Sequence, residues 1–227
     1  MSSTQTNVEA IDLIFGGKIA GLAALYAPRG ISAKVGFHIA RQLARAVTWQ
    51  SDVHVAASDY DDAELRDQFG SDPDVRWSTI DHGFRDLAEV VERTSEGFVI
   101  LDSIDALEML SNISRVSGPQ YRELRSIRAM ARERGTMVLG CGTWDFDHKR
   151  PVGTSLWPRL VRDYYVLHPF SAVHGEYGVE SRAASASSDA SRSEVRMWID
   201  PCTVTRMPID PSPESHAYLK VTFQKRP

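Results

Sequence analysis

Leu25-Tyr-Ala-Pro-Arg-Gly-Ile-Ser-Ala-Lys-Val-Gly-Phe-His-Ile-Ala-Arg-Gln-Leu-Ala44 decides the fold. Leu22–Ala27 reads as a buried strand. A tight loop follows, then a helix over about Ala33–Thr48. Val35, Ile39, Leu43 and Val47 recur four apart, which puts one apolar stripe on the face turned to the core. Strand, loop and helix in that order are the layout of a phosphate-binding loop. The usual pattern is G-x-x-x-x-G-K-[ST]. Here the four defining positions hold Pro28, Ala33, Lys34 and Val35. Only the lysine survives, so the stretch has the position of a nucleotide site with part of its chemistry.

Upstream, Val8, Ile11 and Ile14 suit a short helix that Gly16-Gly17 stops. Downstream, Val53–Ser58 reads as a strand. Asp59-Tyr60-Asp61-Asp62 then opens a helix ending near Gly70, with acids where the helix dipole favours them. Val75–Ile80 is a strand and Phe84–Arg93 a helix. Phe98-Val-Ile-Leu-Asp102 has four apolar residues without alternation, which predicts a central parallel strand buried on both faces. Asp102 falls at its carboxyl end, where α/β sheets place ligands. Asn112–Gln120 is a loop, Tyr121–Arg134 a helix, Thr136–Cys141 a strand, Gly142–Thr154 a loop and Arg162–Leu167 a strand. Ser181–Glu194 is low in complexity and reads as mobile. Val195–Ile199, Thr203–Arg206 and Ala217–Phe223 read as terminal strands, partly antiparallel.

The 227 residues fit one α/β domain, and 42% hydrophobic content fills one sizeable core. A net charge of −4 excludes a uniformly basic nucleic-acid binder, so any such contact needs a local patch. Charge is segregated. From Asp52 to Glu96 there are 13 acids against 4 arginines, whereas Tyr121–Arg134 carries five arginines against two glutamates. Those arginines are expected on several helix faces, solvated or paired with a neighbour's acidic segment. Cys141 and Cys202 form no metal or redox spacing. His38, His54, His82, His168, His174 and His216 show no ligand spacing. The first residues lack a signal pattern and no apolar run approaches membrane-spanning length, which leads to an expectation of a soluble, cytoplasmic protein without membrane contact.

The order of these elements resembles the RecA/KaiC/DnaB group of P-loop ATPase domains. Ile11-Asp-Leu-Ile-Phe-Gly-Gly-Lys-Ile-Ala-Gly21 is similar to that group's lead-in to the phosphate loop. Val53–Leu65 is similar to its second strand and acidic turn, and Val99-Ile-Leu-Asp-Ser-Ile-Asp-Ala-Leu107 to its Walker B strand. Tyr121–Leu139 resembles the next helix and strand, and Leu219–Arg226 the last strand with its basic end. The resemblance covers nearly the whole chain, 1–227, with 1–21 as lead-in. It implies a RecA-like three-layer sandwich with a mostly parallel central sheet and antiparallel strands at the C-terminal end.

The resemblance also implies a cofactor, ATP or ADP with Mg, and roles for particular residues. Lys34 would meet the β- and γ-phosphates, with backbone N–H groups from Gly30 to Val35 as the cradle; the alternative is a solvated lysine. Ala33 places a Cβ where backbone should approach phosphate. Val35 lacks the hydroxyl that ligates Mg, for which Ser32 is a neighbouring substitute. Arg29 either adds a charge toward phosphate or faces water. Asp102 would organise Mg through water, or else cap the helix starting near Ile104. Asp59 or Asp61, flanking Tyr60, would assist the attacking water, or else mark a solvated helix start. The polar sensor position falls at Gly142 or Thr143. Lys225 and Arg226 resemble a finger reaching a neighbouring subunit's nucleotide, against an ordinary charged terminus. Trp144, Phe146, Lys149 and Arg150 combine stacking and charge for single-stranded DNA, against a surface loop over a buried Trp. His148 reads as a surface residue.

The expected function is a RecA-like protein of DNA recombination, repair or replication. It would work through self-association or with another RecA-like protein, with weak or absent ATP hydrolysis. The alternative is a non-hydrolysing adaptor that binds a protein partner, such as a RecA-like ATPase or a repair polymerase complex.

Overall fold

The computed structural model describes Phe15 and residues 20–45, 52–111, 118–153, 156–161, 163–171, 176–183, 195–199, 204–206 and 219–223. The expected lead-in helix, Cys202, Lys225 and Arg226 lie outside these residues.

Strand β1 (Gly21–Ala27) is buried along its whole length. Leu22, Ala24 and Tyr26 join one core cluster and Ala23, Leu25 and Ala27 the other, so the strand is covered on both faces. Helix α1 (Ile31–Arg45) lies on the second face with Val35, Phe37, Ile39 and Leu43 turned inward. It begins two residues before the expected Ala33. Then come β2 (Val53–Ala57), α2 (Asp62–Phe69), β3 (Val75–Thr79), α3 (Phe84–Arg93) and β4 (Phe98–Leu101). All four β4 residues are buried. Next are α4 (Ile104–Leu110), α5 (Gly118–Glu133) and β5 (Met137–Asp145). Apolar residues of α3, α4 and α5 cover the first face of the sheet.

Six strands are parallel in the order β3-β2-β4-β5-β1-β7, where β7 is Asp163–Ser171. In register, Ala27 stands beside Thr143 and Ala56 beside Leu101. The carboxyl ends of β1, β2, β4 and β5 therefore open at one level. Beyond β7 the sheet continues with β8 (Glu176–Ala183), which is antiparallel to β7. β11 (Leu219–Phe223) is antiparallel to β8 and parallel to β9 (Val195–Ile199), and β10 (Val204–Arg206) is antiparallel to β9.

Several expectations need correction. Gly142–Thr154 is not all loop. β5 runs on to Asp145 and folds back on β6 (Arg150–Pro151) as a hairpin, with Trp144 opposite Pro151. A short helix α6 (Leu156–Leu160) buries Trp157 completely. Ser181–Ala183, read as the start of a low-complexity stretch, end β8, because pairing with β7 outweighs composition; residues 184–194 lie outside the description. Helix α5 starts at Gly118 rather than Tyr121. Among the described residues, no helix is long and apolar enough to cross a membrane.

Candidate functional site

A cleft of about 420 Å³ opens where β1, β2, β4 and β5 end. Its first wall is the connection from β1 to α1, which is only Pro28-Arg29-Gly30. The Ile31 N–H donates to the Pro28 carbonyl at 3.0 Å and closes a tight turn. Gly30 takes φ +75°, which glycine adopts without strain. Ser32 and Ala33, in the first turn of α1, line the cleft with Arg29 and Gly30. Lys34 is exposed on α1 and is not among the lining residues. Val35 is fully buried under the helix.

The second wall is built on Asp102, only 2% exposed just after β4. Its Oδ1 accepts from the Ser58 N–H at 2.7 Å and the Ser58 hydroxyl at 2.9 Å. Its Oδ2 accepts from the Asp59 N–H at 3.0 Å. Burial pushes this carboxyl above the usual carboxylate range, and the three donors pull the other way. The carboxylate thus clasps the ends of β2 and β4 together. The cap of α4 is Ser103, whose hydroxyl accepts from the Ala106 N–H at 3.0 Å, rather than Asp102.

Asp59 is exposed and lines the cleft beside Tyr60. The Tyr60 ring stands edge-on to Phe37, 5.0 Å between centroids. Asp61 is turned to another task. It caps α2 by accepting from the Glu64 N–H, while the Glu64 carboxylate accepts from the Asp61 N–H, a reciprocal capping box.

Sequence reasoning missed Asp105. This carboxyl lines the cleft from the first turn of α4, and its Oδ2 accepts from the Thr143 N–H at 2.9 Å. Its Oδ1 is buried without a hydrogen-bond partner, and burial raises its pKa. Behind it stands the buried Tyr26 hydroxyl, also without a partner, facing the Glu108 and Asp105 carboxylates. The signal lay in the spacing Asp102-Ser-Ile-Asp105, which sets two acids one helical turn apart at a strand end. At the sensor position, Gly142 is dictated by packing. A Cβ there would come within 2.6 Å of the Tyr26 ring.

Among the described residues, the cleft lining therefore carries Asp59, Asp102 and Asp105 against Arg29 as its one cation. Among the same residues no three acidic, His or Cys side chains converge as a metal site. A nucleoside triphosphate with Mg does not fit this lining. The turn is too short to wrap a phosphate. The lysine stands outside and the position of the Mg-ligating hydroxyl is filled by a core valine, so the three carboxylates face the space without the groups that would offset their charge toward a phosphate.

The residues read as a DNA surface are divided by the fold. Trp144 is 3% exposed, packed near Tyr26 and Tyr164, so its ring is not offered to a base. Lys149 and Arg150 are exposed at the hairpin. His148 is exposed there and pairs with Asp145 at 2.7 Å.

No protein-family model and no curated protein sequence matches the chain. Solved structures do. The RadB recombinase superposes with a TM-score of 0.54 at 17% identity, over 80% of this chain and 90% of that one. A KaiC-like protein from the archaeon Pyrococcus horikoshii matches with a TM-score of 0.53 at 11% identity, over 96% and 98%. A further ATPase domain of solved structure matches with a TM-score of 0.58 at 10% identity, over 79% and 83%. With the parallel sheet order and the strand–turn–helix at β1, these likenesses give the chain a RecA-like α/β fold.

Proposed function

We propose that this protein is a non-hydrolysing RecA-like protein that works by assembly, with its own copies or a related protein, in DNA recombination, repair or replication. The observation that carries the reading is the composition of the cleft: Lys34 outside it, Val35 in the core, and three carboxylates facing one arginine. Asp102 is engaged by Ser58 and Asp59, which supports a structural part for it over metal binding. Helix dipole and first-turn N–H groups remain at the start of α1, yet the acids opposite offset them. The recombinase neighbour supports the DNA context through fold alone.

Steady-state ATP turnover, with and without Mg and single-stranded DNA, tests this directly. The expected result is no turnover above a buffer blank, and no change for Lys34→Ala or Asp59→Asn. Turnover that Lys34→Ala abolishes would overturn it.

A further inference from the structure

Helix α5 carries an arginine stripe that no carboxylate of the described residues pairs with and that lies outside the cleft. At about 100° per residue, Arg122, Arg125, Arg128 and Arg132 fall within about 120° of one another on the helical wheel. The buried residues Leu124, Ile127 and Ala131 lie on the adjoining arc. Arg122, Arg125 and Arg132 are exposed and Arg128 is half-buried. Mutual proximity is independent of the wheel, since Arg128 lies within the field of both Arg125 and Arg132. The Arg132 side chain runs along Gly21, where a Cβ would come within 3.2 Å of it.

Among the described residues none of these four arginines has an ion-pair partner. The acidic segment of the chain, by contrast, is largely used internally. Asp72 binds Arg41 and Arg45, Asp62 binds Arg66, Asp52 binds Arg76, and Glu89 binds Arg93. Asp61 and Glu64 cap α2. The acids of that segment that remain unpaired, Asp59, Asp67, Asp74, Asp81 and Glu92, stand on separate turns and helices, so a second copy of this chain offers no row of carboxylates to match the stripe, which favours an external polyanion. From Arg122 to Arg132 the helix rises about 15 Å. One strand of a duplex presents a phosphate every ~3.4 Å, so the stripe spans about four.

We infer that the α5 stripe is a nucleic-acid backbone contact, binding consecutive phosphates without reading sequence. The inference does not rest on the state of the cleft.

Anisotropy of a labelled 20-base-pair duplex, titrated with the full chain across a KCl series, tests it. Four neutralised phosphates give a log–log slope of about −3.6. Arg125→Gln/Arg128→Gln should weaken binding at least tenfold and flatten the slope by about 1.8, at 0.9 per lost contact. The same pair should leave the thermal unfolding temperature and sedimentation unchanged. Lys149→Ala/Arg150→Ala should retain the steep slope. Absence of binding, binding that the arginine pair does not alter, or loss confined to the hairpin variant would overturn the inference. So would a change in oligomeric state with the arginine pair and none in DNA affinity.

Discussion

Asp102 is the residue on which two accounts of the cleft divide. A carboxylate held ready for a metal gains stability when removed from its fellow acids. One that clasps two strand ends through three hydrogen bonds loses it. Bonds to charged groups contribute about 1.5–3 kcal/mol each, less the cost of burying the charge. Asp102→Ala is therefore predicted to cost about 2–4 kcal/mol in urea unfolding. His54 supplies a pH signature. It bridges β2 to Ser78 of β3 at 2.9 Å, and burial, aided by nearby arginines, pulls its pKa down to about 4. A folded pKa below the unfolded 6.5 means that the unfolded chain binds the extra proton. Stability from this group is whole above pH 6.5 and falls as pH drops toward 4, by up to ~1.4 kcal/mol per pH unit. His54→Gln should flatten that part of the stability–pH curve. An unchanged curve would show that other groups set it.

At the scale of elements, α1 is pressed onto the sheet at Gly36. A Cβ there would lie 2.7 Å from Cys141 Sγ and 2.9 Å from a methyl of Ile100. Helix propensity alone favours Gly→Ala by about 1 kcal/mol. Overpacking costs about 1–3 kcal/mol. Gly36→Ala is predicted to destabilise by up to about 2 kcal/mol in chemical denaturation, and a gain in stability would show that α1 sits further from β5 than described. Elements with strong periodicity were legible in the sequence. Val35, Ile39 and Leu43 of the α1 stripe and the unbroken apolar run of β4 fall where the pattern put them, while Val47 lies outside the described residues. What stayed hidden was decided by partners distant in sequence. β8 forms because β7 lies beside it, and β5 outruns its apolar core because β6 folds back on it. In the cleft, acids at strand ends were visible, but not which acid was free. Asp61 is engaged in a capping box and Asp102 by Ser58, while Asp105, given no role of its own within the Val99–Leu107 stretch, lines the cleft.

Across the molecule, the RecA-like sheet sets four strand ends around one cleft, yet the groups that would make it a nucleotide site are turned elsewhere. Among the described residues its charge is divided, with acids at the cleft and through β2–α3, about half of the latter paired, against unpaired arginines along α5. This division separates a cleft unsuited to phosphate from a helix suited to it. The most direct test is calorimetry of the intact protein with ATP and with ADP, each with and without Mg. The account predicts no heat of saturable binding in any of the four titrations at micromolar to millimolar nucleotide. Saturable, Mg-dependent binding that Lys34→Ala removes would contradict it.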